Sequence, residues 1–166
     1  MKTLSMIAVA IVVAATTAAP AQAQLPIQLS FNAGLARPVG NDADVLDNGF
    51  HAGVGLKIIL IPLQLDGSID RMSAIGAGED LTVLSAALTL PVSITPPLFP
   101  VAIYGLAGGG MYNQRAGVKS TDIGGTVGIG ARVNIPFLKP FAEARGVAVF
   151  GDERLTYITL AAGVRF

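Results

Sequence analysis

Hydrophobic and polar residues alternate with a period of two along most of the chain. In residues 27–35 the odd-numbered positions are all apolar, and the even-numbered positions are polar or glycine. Because successive side chains of a strand point to opposite faces, this pattern predicts a β-strand with one apolar face and one polar face. Six further segments alternate in the same way: residues 50–58, 63–70, 84–90, 126–133, 141–150 and 157–166. Residues 101–112 make an eighth candidate strand, whose facing stays open because both of its rows are apolar or glycine.

The charged residues of the seven readable strands all lie on the polar rows. They are Lys57, Asp66, Asp70, Arg132, Glu143, Arg145 and Arg165. A soluble barrel would carry its charges on the outside and fill its interior with the apolar row. A charge that faces lipid costs about 2–4 kcal/mol near the bilayer midplane, which explains uncharged apolar rows on an outer surface. We therefore predict an all-β fold, an eight-stranded antiparallel up-and-down transmembrane β-barrel.

The links between the predicted strands are of two kinds that alternate. Four are polar (residues 37–48, 72–80, 113–122 and 151–154), and three are apolar and contain proline, around Pro62, residues 91–100 and residues 136–140. Proline cannot donate to a sheet ladder and therefore favours strand ends and turns. The alternation predicts a barrel with a loop end and a turn end. Eight aromatic residues are candidates for an aromatic girdle: Phe99, Phe137, Phe141 and Phe166 near the turn end, and Phe50, Tyr112, Phe150 and Tyr157 near the loop end.

The amino terminus has the order of a secretory signal peptide. Lys2 precedes an apolar run over residues 4–19, and Pro20 is followed by Ala-Gln-Ala at residues 21–23. A positive start, an apolar stretch and small residues before a cleavage site are typical of a signal peptide. A membrane anchor is the alternative, but the apolar run is short for a span of about 20 residues. We predict a signal peptide over residues 1–23 and one barrel domain over residues 24–166.

Composition supports a membrane protein without helical spans. The chain is 52% hydrophobic and only 13% charged, whereas soluble proteins are about a quarter charged. Beyond residue 23 no apolar run approaches the roughly 18 residues of a membrane helix. The chain has no cysteine, which excludes disulfides and thiolate metal sites. Its formal net charge of zero gives no reason to expect nucleic acid as a partner.

Candidate catalytic and metal-binding residues are few. His51 is the only histidine, and it is followed by Ala52 and Gly53 rather than by a serine, so we favour a pore-facing or rim histidine over a catalytic base. The aspartates of residues 42–47 lack the central glycine and terminal glutamate of an EF-hand, which favours a solvated loop. The glycine clusters of residues 105–110 and 124–130 match no phosphate-binding motif and suit a tightly curved barrel. We therefore expect no enzyme activity, no cofactor and no metal.

The carboxyl end carries a resemblance to a known group. Its last strand alternates apolar residues and ends in phenylalanine: Ile158, Leu160, Ala162, Val164 and Phe166. This end resembles the C-terminal signal of bacterial outer-membrane barrels. The residues after the leader resemble the small eight-stranded OmpA-like and OmpX-like barrels, without the periplasmic peptidoglycan-binding domain of OmpA. The resemblance implies insertion by the barrel-insertion machinery into the outer membrane of a Gram-negative-type bacterium, with outer-membrane lipid as the surroundings and a monomeric state.

The interior charges suggest two roles. Arg132, Glu143 and Arg145 come from adjacent predicted strands and are expected to face one another across the lumen, with Asp66 and Asp70 as negative partners. We favour a structural ion-pair network, because the interiors of eight-stranded barrels are filled by side chains. The expected function is an envelope-structural or surface-interaction role through the loops. A narrow passive, porin-like channel is the first alternative, and a soluble periplasmic lipocalin-like binding protein is the second.

Overall fold

The computed structural model describes residues 27–58, 61, 63–76, 79–93, 100–116, 118–151 and 154–166. The predicted signal peptide, Pro62 and most of the link over residues 91–100 lie outside the described residues. The strands are β1 (Ile27–Pro38), β2 (Leu46–Ile58), β3 (Gln64–Ala74), β4 (Leu81–Ser93), β5 (Val101–Ala116), β6 (Val118–Val133), β7 (Lys139–Phe150) and β8 (Leu155–Arg165). One short 3-10 helix, Gly40–Asp44, lies between β1 and β2. No helix in the described part of the chain is both long and apolar enough to span a membrane.

The eight strands form a closed barrel in which each strand pairs with its neighbours in sequence. Every pairing is antiparallel, and β1 closes the barrel against β8 with a register that runs from Ser30 opposite Arg165 to Pro38 opposite Tyr157. Closure leaves no open sheet edge, so the backbone groups of the strands are paired around the whole circumference. The predicted fold class, an eight-stranded antiparallel up-and-down barrel, is confirmed.

The facing predicted for the seven readable strands matches the exposure of their side chains. Apolar residues such as Leu35, Val127 and Leu160 are exposed on the outside, while Asp66 and Glu143 of the polar rows are buried inside. The structure also settles the facing of β5, whose even-numbered residues point into the lumen. Tyr104 and Tyr112 are buried there, and Ile103 and Met111 are exposed outside.

Two expectations from the sequence were wrong. The predicted polar link over residues 113–122 belongs mostly to strands, because β5 and β6 stay paired as far as Ala116 opposite Val118. Polar cross-strand contacts support this extension, including the Asn113 amide that donates to Thr121 Oγ1 at 2.6 Å. Tyr112, Tyr157 and Phe141 lie inside the lumen rather than in an outer girdle, and Phe99 lies outside the described residues.

The turn between β6 and β7 has an unusual backbone. Phe137 has a positive φ of 73°, the only such value for a described residue other than glycine, and its side chain is 94% exposed. A left-handed conformation is unfavourable for a bulky residue. This exposed aromatic side chain marks the turn end of the barrel.

Candidate functional site: the barrel lumen

The loop end of the lumen is filled by a cluster of apolar and tyrosine side chains. It contains Ala36, Met72, Leu81, Val83, Tyr112, Val147, Val149, Leu155 and Tyr157. These residues come from β1, β3, β4, β5, β7 and β8. Met72 and Val83 are fully buried. The cluster packs across the width of the barrel and closes its loop end.

The centre of the lumen contains an ion pair. The Arg145 guanidinium donates through Nε to Glu143 Oε2 at 2.6 Å, and its Nη2 lies 2.6 Å from the same oxygen in an ion pair. Its Nη2 also lies 3.6 Å from Asp66 Oδ1, on the other side of the barrel. The Tyr104 hydroxyl donates to Glu143 Oε1 at 2.6 Å. Both oxygens of the Glu143 carboxylate are therefore satisfied, as a buried charge requires.

The position of Tyr104 depends on the glycine opposite it. Tyr104 pairs with Gly130 in the β5–β6 ladder. A Cβ atom at Gly130 would come within 2.5 Å of Tyr104 Cζ and 2.6 Å of its hydroxyl oxygen. Glycine therefore gives this ring the space to lie across β6 and reach Glu143.

A second polar cluster surrounds Asp70, nearer the loop end. His51 Nδ1 lies 2.5 Å from Asp70 Oδ1, and the Tyr157 and Ser68 hydroxyls donate to Asp70 Oδ2. The other ring nitrogen of His51, Nε2, lies 2.9 Å from Asn32 Oδ1. All four contacts are made by inward-facing residues of β1, β2, β3 and β8. In a serine-type catalytic triad the second ring nitrogen would face a hydroxyl, whereas here it faces an amide.

The contacts of Asp66 connect the central ion pair to residues nearer the turn end of the lumen. Its carboxylate accepts from the Thr89 hydroxyl at 2.5 Å and from the Gln64 amide at 2.6 Å. The oxygen of the same Gln64 amide accepts from Arg165 Nη2 at 2.9 Å. Arg165 also lies over the Phe141 ring, with its guanidinium carbon 5.6 Å from the ring centroid. Its Nη1 is buried and has no hydrogen-bond partner in the described part of the chain.

The turn-end mouth of the lumen is a cavity of about 140 Å³ lined by Gln28, Lys57, Arg132, Asn134 and Lys139. No carboxylate lines it among the described residues. The Arg132 guanidinium lies over the Tyr104 ring, 5.8 Å from the centroid. Arg132 Nε is buried without a hydrogen-bond partner among the described residues.

The remaining space in the lumen is small. A cavity of about 30 Å³ lies between the two polar clusters, bordered by His51, Asp66, Asp70 and Arg145 among others. A water molecule needs roughly 10–15 Å³ of such volume, so this space holds one or two waters at most. No group of three or more metal-ligating side chains occurs in the described residues.

The structure places the seven charged residues singled out from the sequence at different levels along the barrel axis. Asp66, Glu143 and Arg145 meet at the centre, and Asp70 lies beside His51, nearer the loop end. Lys57 and Arg132 line the mouth, and Arg165 is buried next to it. Arg132 was expected to face Glu143, but it makes no ion pair with a described carboxylate and instead covers Tyr104. The expectation was wrong because Tyr104 occupies the space between the two side chains.

Several lumen residues were missed by sequence reasoning. Tyr104 lies on the strand whose facing stayed open, and Lys139 was assigned to a turn because two prolines surround it. His51 was expected to face the pore or the rim, and it faces the lumen, where it is buried. The inward row of β7 offered the one available signal for Lys139, since this residue continues the odd-numbered series of Glu143 and Arg145.

The five residues predicted to form a carboxyl-terminal insertion signal lie on the outer row of β8 or directly after it. Ile158 and Leu160 are exposed. The Phe166 ring packs edge-on against Phe31 of β1, with centroids 6.4 Å apart, and its backbone N–H donates to the Leu29 carbonyl at 2.9 Å. The end of the chain thus takes part in barrel closure.

Comparisons with solved structures identify the fold. The chain is similar to Neisserial surface protein A (NspA), with a TM-score of 0.65 and 19% identity over 84% of this chain and 96% of the other. It is also similar to the N-terminal β-barrel domain of Pseudomonas aeruginosa OprF, with a TM-score of 0.52 and 13% identity over 84% of this chain and 97% of the other. No protein-family model matches the sequence, and no curated protein matches it either.

These similarities confirm that the chain has the fold of the small eight-stranded outer-membrane barrels. The described residues contain this one barrel and no further domain. At such low sequence identity the similarity concerns the fold alone.

Proposed function

We propose that this protein is an integral outer-membrane barrel with a packed, structural lumen, and that it acts through the residues at its loop end. The observation that carries the proposal is the facing of the strands, which is apolar outside and charged inside. In water such a continuous apolar surface would drive aggregation, whereas in hydrocarbon it is the favoured surface.

The edge of the apolar surface supports a membrane orientation. Outward-facing arginines occur only near the loop end of the described strands, at Arg37, Arg71 and Arg115. Between these arginines and the turn end, the described outer rows carry no charged residue. This is the distribution expected when the apolar band lies in lipid and the arginines lie at the boundary with the polar headgroups.

The packing of the lumen argues against the channel alternative. The apolar cluster fills the loop end, and the central cavity of about 30 Å³ has room for only one or two waters. The soluble lipocalin-like alternative requires an apolar interior and a polar exterior, which is the reverse of the facing described above. The contacts of His51 also favour a non-enzymatic role, because its two ring nitrogens are occupied by Asp70 and Asn32.

The loop end is the surface proposed for interaction. Its links carry exposed polar and charged side chains, among them Asp44, Asp47 and Glu79. Loops on a rigid scaffold are a frequent location of binding residues. NspA, which shares the fold, is by its name a surface protein, and we propose the same exposure here. Delivery by a signal peptide, insertion through the carboxyl-terminal strand and a monomeric state complete the proposal.

A lipid-facing charge tests this proposal. Leu160 is 55% exposed and lies at the middle of β8. We expect Leu160→Arg to lower the free energy of unfolding by about 2–4 kcal/mol in lipid vesicles, because the guanidinium would face hydrocarbon. Thr156→Arg is the matched control, since Thr156 is exposed on the same outer row near the loop end; its effect should be about 0–1 kcal/mol.

Denaturant titration of both variants in the same vesicles provides the measurement. Equal and small effects would indicate that residue 160 faces water, which would overturn the membrane assignment. Fractionation of the full chain from a Gram-negative host adds an independent check, because a soluble protein would leave the membranes without detergent.

A further inference from the structure

We propose that the turn-end mouth of the lumen is a binding site for a phosphate-type oxyanion. Lys57 of β2, Arg132 of β6 and Lys139 of β7 line one cavity, together with the amides of Gln28 and Asn134. The cavity of about 140 Å³ is large enough for a phosphate group, and the three cations that line it are half-buried. This site is separate from the loop-end surface and does not depend on the proposed function.

The fold forces these positive charges together. Lys139 lies directly opposite Arg165 in the β7–β8 ladder, and both side chains belong to the inward rows. Like charges directly opposite each other destabilise a sheet. The positive charges of Arg132 and Arg165 repel the ammonium groups of Lys57 and Lys139. Three cations therefore line the mouth of the lumen, and Arg165 is buried next to them.

The carboxylates of the lumen do not neutralise this group. Glu143 is held by Arg145 and Tyr104, and Asp66 by Thr89 and Gln64, with Arg145 nearby. Both carboxylates act electrostatically on Arg165, but neither lines the mouth. Within the described residues no carboxylate forms an ion pair with Lys57, Arg132 or Lys139. The positive charge at the mouth is therefore available to bind an external anion.

An unpartnered hydrogen-bond donor strengthens the case for an anion. Arg132 lines the cavity, and its buried Nε has no hydrogen-bond partner among the described residues. An unpartnered buried guanidinium nitrogen is unfavourable unless an acceptor reaches it. A tetrahedral oxyanion supplies several acceptors at once, and guanidinium groups match its geometry.

The anion has two possible sources with the same chemistry. One is free phosphate in solution at the turn end. The other is the phosphate of a lipid headgroup, since the mouth lies at the rim where the apolar outer surface ends. Both would place a phosphate among the same three cations.

The first test measures binding of inorganic phosphate to the purified full chain in a phosphate-free neutral detergent. We expect saturable binding with one phosphate per barrel. The double variant Lys57→Gln/Lys139→Gln should bind at least about tenfold more weakly, because each removed cation costs a charge-assisted contact. Phosphate should also raise the unfolding midpoint of the unmodified protein but not of the double variant.

The matched control removes the same amount of charge from another place. Arg71→Gln/Arg115→Gln takes two exposed arginines from the loop end and should leave phosphate binding unchanged. An equal loss in both double variants would mean a general charge effect and would overturn the site. If the lysine variant does not fold, Arg132→Gln provides the same comparison from β6.

Reconstitution into phospholipid nanodiscs distinguishes the two sources. Phosphate affinity that persists in the nanodisc indicates free phosphate as the ligand. Affinity that is lost in the nanodisc, together with phospholipid that stays bound to the unmodified protein but not to the lysine variant after delipidation, indicates a headgroup. Absence of saturable phosphate binding in detergent, combined with equal lipid retention by both proteins, would overturn the proposal.

Discussion

Charged side chains form ion pairs at the centre of the lumen, whereas the described cations at its turn-end mouth have no carboxylate partner. At the centre Arg145 is held by Glu143 and approached by Asp66, and the second oxygen of Glu143 accepts from Tyr104. At the mouth Lys57, Arg132 and Lys139 share a cavity without a carboxylate among the residues that line it. The two layers are only a few residues apart along β7.

The difference follows from access to solvent. The centre is enclosed by the barrel wall and the apolar loop-end cluster, so an unpaired charge there would lose its hydration without compensation. The mouth is only half-buried, so its cations keep part of their hydration and are open to an external anion. The location of a charge along the barrel axis, rather than its presence on the inner row, determines whether it has to be paired.

The largest effect is expected from breaking the central pair. Glu143→Gln leaves the Arg145 guanidinium with Asp66 alone, at 3.6 Å. Removing one partner of a buried pair costs about 3–5 kcal/mol, and we expect a loss near 3 kcal/mol because Asp66 remains. The measurement is the free energy of unfolding from denaturant titration in lipid vesicles.

Asp80→Asn is the control for this prediction. It breaks the exposed pair between Arg71 and Asp80, whose side chains are 56% and 42% exposed. Exposed pairs contribute about 0–1 kcal/mol. An unchanged midpoint for Glu143→Gln would show that the central pair does not stabilise the barrel.

A smaller effect is expected at the second polar cluster. Tyr157 is 1% exposed, and its hydroxyl donates to Asp70 Oδ2 at 3.1 Å. Tyr157→Phe keeps the ring but removes this bond to a carboxylate, so stability should fall by about 1.5 kcal/mol. Tyr112→Phe is the matched control, because the Tyr112 hydroxyl has no hydrogen bond within the described residues; it should change stability by less than about 0.5 kcal/mol. Equal losses would assign the effect to ring packing rather than to the bond with Asp70.

The smallest effect is expected at the mouth, with the opposite sign. Lys139→Gln removes the like-charge contact with Arg165 across the β7–β8 ladder. In a chloride buffer without phosphate the barrel should become more stable, by about 0.5 kcal/mol. Lys57→Gln should gain less, because Lys57 lies opposite Gln28 and Gln64 in its own ladders. A loss above about 1 kcal/mol for Lys139→Gln would show that this lysine has a stabilising partner.

Much of the barrel was predictable because alternation is a local property. Phe50, Val54 and Leu56 face outward in β2 as their spacing required, and Asp66 and Asp70 face inward in β3. In β5 the same reasoning could not determine which row of side chains faces the lumen, since glycine and alanine occupy both rows. The facing of that strand is decided by its neighbours, which place Tyr104 against Gly130 and Glu143.

The extent of the strands was less predictable than their facing. Asn113 and Asp122 have the polarity of loop residues, yet both lie in the extended β5–β6 hairpin. Cross-strand hydrogen bonds, such as the one from Gln114 to Asp122 at 3.1 Å, allow the ladder to continue where the side chains are polar. Polarity alone therefore does not mark the end of a strand.

The sequence by itself determined the apolar outer surface and the inward facing of the charges in the seven readable strands, because each depends on a period of two along a single strand. Only the tertiary structure decided the partners of those charges. Barrel closure and register bring Glu143 to Tyr104, Asp70 to His51 and Tyr157, and Lys139 to Arg165. These contacts depend on the shear between strands that are distant in sequence, and alternation within one strand contains no information about that shear.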